Sequence, residues 1–214
     1  MRSSAERAVV FVDGNNWYHG LKTAGIVKPG WLDYAAVSRK LIGHRGWIGT
    51  RYYIGRVPQI GNRRLSADQR RYTSWMTSMD PRISVYFGRL ERRTVQNTFA
   101  REVLAYLGNL PIRIDPDVYK HLVDTATRNE RTLVMVEKAV DVMLAVDMVR
   151  MADRDEFDTA YLLAADGDYT PAVEAAMSAG KTVFAAAVEP APKLAAVVHR
   201  FIRLKHEWFD DCFR

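Results

Sequence analysis

The stretch Ala8-Val9-Val10-Phe11-Val12-Asp13-Gly14-Asn15-Asn16 decides how the rest of the chain is read. Five consecutive apolar residues, three of them valines, form a run of strand length that is apolar on both faces. Asp-Gly-Asn-Asn stops it with four turn-forming residues. The unit is therefore a buried strand that delivers an aspartate into a polar turn. The same pattern returns at Thr159–Ala165, which runs into Asp166-Gly167-Asp168.

Between and beyond these units, strands and helices alternate. Asp33 is placed to cap a helix over Tyr34–Ile42. Tyr52–Val57 and Ile83–Leu90 read as strands, separated by a helix that Ser66 is expected to cap and that runs to about Met79. Asp80-Pro81 ends that helix, because a residue before proline disfavours the α conformation. Residues 91–131 are less regular, with Pro111 and Pro116 arguing for loops and Phe99–Leu107 for a short strand or helix. Val134–Met151 reads as one long helix, apolar around most of its circumference and so buried. Thr170-Pro171 starts a further helix that stops at Gly180. Thr182–Ala187, a helix over Pro192–Val198 and a strand near Phe201–Leu204 complete the series. Such alternation predicts an α/β fold: a parallel sheet with helices on both faces.

A length of 214 residues fits a single domain over 1–214, with 91–131 as an insertion and 205–214 as an aromatic docking segment. At 48% hydrophobic and 26% charged residues the chain is of ordinary globular composition, which excludes a disordered or collagen-like protein. No apolar run approaches the roughly 18 residues of a membrane span, and Met1–Arg7 is too polar for a secretory leader. One cysteine, Cys212, excludes an internal disulfide framework and a multi-cysteine metal site. A cytoplasmic protein without a membrane partner is expected. Trp208, Phe209 and Phe213 around Cys212 make the C-terminal segment a candidate contact with a second subunit in a homo-oligomer.

Charge is distributed unevenly. Residues 39–101 carry 14 basic and 3 acidic side chains, a net +11, and 13 of the 14 are arginine; residues 102–214 carry 13 and 19, a net −6. An arginine-rich segment interleaved with tyrosine and tryptophan suits a polyanion, and nucleic acid above all. The pairs Arg63-Arg64, Arg70-Arg71 and Arg92-Arg93 are the candidate phosphate contacts.

Ligands of open α/β sheets bind at the carboxyl ends of the strands, where Asp13, Asp166 and Asp168 fall. Asp141 adds a fourth acid within the uncharged run Val140–Val146, which points it at the interior or a cleft. On a continuous helix Lys138 shares its face, three residues earlier. Each aspartate taken alone reads equally well as a turn or cap residue. Together, carboxylates that converge without matching cations repel one another unless a divalent ion binds, and oxygen-only ligands suit Mg2+ or Mn2+. Metal-assisted hydrolysis of a phosphodiester is the chemistry this combination predicts.

Three motifs carry a resemblance. Val10-Phe11-Val12-Asp13-Gly14-Asn15-Asn16 resembles the opening strand of NYN domains, members of the PIN-like nuclease superfamily. Lys138-Ala139-Val140-Asp141-Val142 resembles their Lys-Gly-Val-Asp motif. Leu163-Ala164-Ala165-Asp166-Gly167-Asp168-Tyr169 is similar to a third motif, usually Ser-Gly-Asp-Ser-Asp-Phe. The resemblance spans about residues 8–205 and implies a Rossmann-like sheet, a negatively charged pocket and metal-dependent ribonuclease activity on RNA, with single-stranded DNA as a second candidate substrate. By position it implies Asp13, Asp141, Asp166 and Asp168 as metal-site carboxylates, with Asn16 orienting a water or phosphate oxygen and Lys138 offsetting phosphate charge. Ala139 stands where glycine is usual, a replacement that a helix tolerates. Ala164 and Ala165 replace the hydroxyl and glycine of the third motif. The competing reading is a nucleic-acid-binding module that keeps the fold without catalysis. An aspartate-based phosphatase is disfavoured, because the acid it needs two residues after Asp13 is Asn15.

Overall fold

Alternate residues of the first strand enter two different cores. In the computed structural model, which describes residues 6–26, 31–59, 62–110 and 114–213 with the side chains of 90–93 and 132–138 set aside, β1 is Arg7–Asp13. Ala8, Val10 and Val12 pack with Trp17, Leu21, Tyr34, Val37 and Met76. Val9 and Phe11 pack on the opposite face with Val140, Leu144, Met148, Val173 and Leu194. The period of two along a strand thus divides one apolar run between two layers of helix.

The strands are β2 (Gly46–Arg56), β3 (Ile83–Gln96), β4 (Arg131–Lys138), β5 (Thr159–Leu163), β6 (Thr182–Ala187) and β7 (Arg200–Arg203). Their order across the sheet is β4-β3-β2-β1-β5-β6-β7, and β1, β2, β3, β5, β6 and β7 pair in parallel. The fold is α/β and Rossmann-like, and β1 and β5 flank the point where the strand order reverses. Helices α1 (Gly14–Thr23), α2 (Tyr34–Ile42) and α3 (Arg63–Met79) supply the first core. Helices α6 (Val140–Asp153), α7 (Thr170–Ser178) and α8 (Pro192–Val197) supply the second. At the amino end of the sheet the Arg7 guanidinium donates to Asp158 at 2.7 Å, tying the start of β1 to the start of β5 and holding the Asp158 carboxyl down at about 2. Trp17 is buried against Phe209, so it packs the C-terminal segment.

The chain divides into two compact units, residues 1–89 with 138–214, and residues 90–137. The second contains α4 (Thr98–Gly108) and α5 (Pro116–Asn129) between the outer part of β3 and most of β4. Asn97 caps α4 through the Ala100 N–H, and Asp115 caps α5 through those of Asp117 and Val118. Pro116 therefore opens a helix, where its fixed φ is favourable, and Pro111 lies outside the described residues. No helix among the described residues is long and apolar enough to cross a membrane.

Of the two expected helix caps, Asp33 holds and Ser66 does not. The Asp33 carboxylate accepts from the Ala35 and Ala36 N–H groups at the start of α2. Helix α3 starts earlier than Ser66, with Asn62 as its cap residue, and Ser66 is buried within it. The long helix over Val134–Met151 is the main correction. Residues 131–138 form β4, and α6 begins only at Val140. A short apolar run such as Leu133–Val136 fits a buried strand and a buried helix alike, so periodicity does not separate them.

Ala139 makes the break, with φ 68° and ψ 0° in the left-handed region. The glycine it replaces is thus not a helix residue, and alanine here carries strain that glycine does not. Ala139→Gly should raise stability by about 1 kcal/mol, roughly 2–4 °C in a chain of this length. Thermal melting checks this, and a lowered melting temperature would show that the loop does not hold that conformation.

Candidate active site

Asp13 ends β1 and is the cap residue of α1 at once. Its Oδ1 accepts from the Asn16 N–H at 3.0 Å, satisfying one of the orphan donors of the first turn. Gly14 follows because nothing larger fits: a Cβ there would lie 2.7 Å from the Tyr53 carbonyl oxygen and 2.5 Å from the Tyr52 ring. Asn16 closes the switch point, its Oδ1 accepting from the Ala165 N–H at 2.8 Å, which leaves its NH2 group available to a ligand. Because that contact uses the backbone of residue 165, alanine makes it as well as glycine. Ala164 is fully buried in the second core, so a hydroxyl there would need a partner inside that core.

Asp13 is 3% exposed, and burial pushes its carboxyl pKa up, with Asp141 and Asp166 adding to the rise. Two hydrogen bonds oppose this, one from the Asn16 N–H and one from the Tyr169 hydroxyl. Tyr169 is buried in the position the family motif usually fills with phenylalanine. Its hydroxyl donates to Asp13 Oδ2 at 2.9 Å and lies 3.2 Å from Asp141 Oδ1. One phenolic proton serves two carboxylates. Burial, and then the two carboxylates, raise the phenol's own pKa well above the ordinary tyrosine value, so it stays a donor at neutral pH.

Asp141 is exposed rather than interior. It sits in the first turn of α6, where the helix dipole favours a negative charge, and reaches the site from the rim. The uncharged neighbours thus do not place it in the interior, although it meets Asp13 through the Tyr169 hydroxyl. Asp166 caps the 3₁₀ turn Gly167–Tyr169, its Oδ1 accepting from the Asp168 N–H at 2.9 Å. Gly167 lies under the stem of Lys193, which a Cβ would meet at 2.5 Å, so that lysine crosses the acidic loop. Asp168 is exposed on the same turn. Lys138 ends β4 on the far side of the Ala139 turn, so the helical face that would join it to Asp141 does not exist, and its side chain lies outside the described residues.

Among the described residues no three histidine, cysteine, aspartate or glutamate side chains are gathered as a ready-made metal cage. Mg2+ does not require one, because it binds through one or two carboxylates, waters and substrate phosphate. The pair Asp13 and Asp141, with one shared proton between them and only oxygen donors, fits such an ion.

Much of the basic segment is used internally. Arg39 and Arg82 pair with Asp80, Arg45 with Glu6, Lys40 with Asp211. Arg51 joins a network that the sequence does not reveal: its guanidinium donates to Asp147 at 2.7 Å and lies 4.3 Å above the Tyr86 ring, while the Tyr53 hydroxyl donates to Asp147 at 2.8 Å. That network fixes α6 against β2. Arg63, Arg64, Arg70 and Arg71 are exposed on α3. Spacing of seven residues stacks Arg63 with Arg70 and Arg64 with Arg71, roughly 10 Å apart along the axis. Arg71 pairs with Asp68 at the surface and Arg70 donates to the Ser66 hydroxyl. The side chains of Arg92 and Arg93 lie outside the described residues.

A Rossmann-like parallel sheet with acids beside its reversal point is the α/β arrangement of a PIN-like domain. The chain belongs to the NYN domain family, whose sequence model matches residues 7–205. Among solved structures it is similar to a protein of unknown function from Vibrio parahaemolyticus, at 15% identity over 100% of both chains with a TM-score of 0.60, which supports the fold alone. A chain from a structural study of Sir2 enzymes matches at 9% identity over 94% of this chain and 88% of that one, with a TM-score of 0.38, too low to bear on either fold or function. No curated protein matches the sequence.

Proposed function

We propose that this NYN domain is a metal-dependent endoribonuclease that hydrolyses RNA phosphodiester bonds with Mg2+ or Mn2+. The observation that carries the reading is the convergence of Asp13 and Asp141 on the Tyr169 hydroxyl at the switch point. Asp13 and Asp141 would hold the ion, with Asp166 and Asp168 on the neighbouring turn as further carboxylates of the site. When bound, the ion supplies Lewis-acid polarisation of the phosphoryl oxygen and a nucleophilic water near neutral pH. The chain's own residues do the rest. Asn16 offers its NH2 group to a substrate oxygen, the Lys193 stem covers the acidic loop, and Tyr169 keeps a proton between the two carboxylates so that the site need not carry both charges unshielded.

The test is incubation of the purified domain with RNA and DNA oligonucleotides in Mg2+, Mn2+ or chelator. Internal cleavage of RNA in metal and none in chelator is expected. Binding without cleavage in every metal would replace the enzyme with the non-catalytic module.

Tyr169→Phe tests the proton bridge. The Tyr169 hydrogen bond lowers the Asp13 pKa, so its removal leaves burial and the Asp141 and Asp166 charges less opposed. The carboxylate must ionise to bind a cation, so the acid limb of the pH–rate profile should move to higher pH in the variant. An unmoved limb would detach Tyr169 from the ionisation that controls the rate.

A further inference from the structure

On the first-core side of the same strand ends lies a cavity of about 410 Å³, within the usual range for small-ligand sites. Gly14, Asn15 and Tyr18 of α1 form one wall, Tyr52 and Ile54 of β2 the floor, and Asp68, Gln69 and Tyr72 of α3 the other wall. Gly14 and Asn15 follow Asp13 directly, so the cavity opens beside the carboxylate site. The Tyr52 ring meets those of Tyr34 and Tyr72 edge to face, with centroids 5.1 and 6.5 Å apart. Tyr18, 43% exposed, stands at the mouth.

The polar groups divide into those already used and those on offer. Gln69 is used: its Oε1 accepts from the Val57 N–H at 2.9 Å and its Nε2 donates to the Gly55 carbonyl at 2.7 Å, so it contributes only its stem. The Asp68 carboxylate spends one oxygen on Arg71 at 3.1 Å and keeps the other. Asn15 is exposed at the opposite side. A tyrosine-lined cavity with a carboxylate in its wall and arginines along the same helix suits an aromatic base attached to a phosphate strand.

We infer that this cavity binds a nucleobase next to the scissile phosphate, with guanine preferred. Tyr18 and Tyr72 provide stacking surface. Asp68 accepts only, and guanine is the base whose Watson–Crick edge presents two neighbouring donors, N1–H and the N2 amino group. Arg64 and Arg71, four residues before and three after Asp68 on α3, flank the entrance for the adjoining phosphates. The inference takes its ligand class from the nucleic-acid reading above and assigns the cavity a part in substrate choice.

The test uses mononucleotides in chelator, so that it does not depend on cleavage. GMP, AMP, CMP, UMP and ribose 5-phosphate are titrated while the ring resonances of Tyr18 and Tyr72 are followed. GMP should shift both rings and bind most tightly, and ribose 5-phosphate should leave them in place. Asp68→Asn sets an amide donor against one of guanine's donors and should reduce the preference for GMP over AMP about tenfold. Tyr18→Ala, at a position too exposed to unfold the chain, should weaken all four nucleotides by about tenfold. Ring shifts by ribose 5-phosphate equal to those by GMP, a preference unchanged in Asp68→Asn, or no shift at roughly 10 mM nucleotide, where a millimolar Kd is saturated, would each overturn the assignment. Failure here with RNA still cut leaves the nuclease reading standing, and GMP binding without cleavage leaves the cavity standing without the nuclease.

Discussion

Asp13→Asn should abolish RNA cleavage, by about a thousandfold or more, while RNA binding stays within about twofold of wild type. The first figure is the scale for removing one electrostatic group from a preorganised site, and the second follows because the proposed role of Asp13 is to hold the ion and not to contact the phosphates that dominate affinity. The fold should survive. Asparagine caps a helix as well as aspartate does, and its carbonyl still accepts from the Asn16 N–H. Stability gives an independent readout with a definite sign. Burial raises the Asp13 pKa in the folded state above its unfolded value, so the folded state holds the proton more tightly. Whatever stability that adds is complete below the ordinary aspartate pKa of about 3.9 and is lost as pH rises through the folded pKa. At neutral pH the metal-free wild type therefore carries the full cost of an ionised, buried carboxylate. Asp13→Asn should melt at a higher temperature than wild type at pH 7 in chelator, and the difference should shrink towards pH 4. With a Kd of roughly 1 mM, 10 mM Mg2+ should raise the wild-type melting temperature by about 3–6 °C through linkage. The variant should lose most of that rise. Cleavage at the wild-type rate, or a full metal-dependent rise in the variant, would place the reactive site elsewhere.

Neutralising Arg63, Arg64, Arg70 and Arg71 together should weaken RNA binding on the order of a hundredfold at physiological salt, with little dependence on sequence. Each true phosphate contact contributes about 0.7 to the slope of log K against log salt for a single strand, so four contacts should flatten it by nearly 3. The same change at Arg51 should instead cost stability, because Arg51 is held by Asp147 and Tyr53 between β2 and α6. Anisotropy titrations between about 50 and 200 mM salt separate the two classes of arginine. An unchanged slope in the quadruple variant moves the RNA path off α3.

Substituting both acids at the rim, Asp166 and Asp168, would be less informative than Asp13 because their positions differ. Asp166 braces the turn through the Asp168 N–H, whereas Asp168 is exposed on it. Loss of the first loosens the loop on which Tyr169 sits, which mixes a structural effect with a chemical one.

Elements whose limits are set by short-range chemistry are legible in the sequence. Val9–Val12 is apolar on both faces and Asp13 accepts from an amide three residues on, so strand, turn and helix start follow from ten residues. The Asp33 cap and the break at Asp80 are of the same kind. The repetition of strand and helix then leads to a parallel α/β sheet, and the three acidic motifs point to the carboxyl ends of its strands. Tertiary structure alone decided what those motifs meet. The apolar run Leu133–Val136 fits a strand and a helix equally, and only the sheet and the left-handed turn at Ala139 select between them. The Tyr169 hydroxyl, an atom that reads as ordinary aromatic burial, reaches a carboxylate 156 residues away in the chain. Asp147 captures Arg51 from a distance of 96 residues, so one arginine of the basic segment serves as a brace. The physical reason is one of range. Capping, proline restriction and alternation act over a few residues and leave a mark in spacing, whereas hydrogen bonds between elements depend on which strands become neighbours, and that is set by burial of the whole sheet.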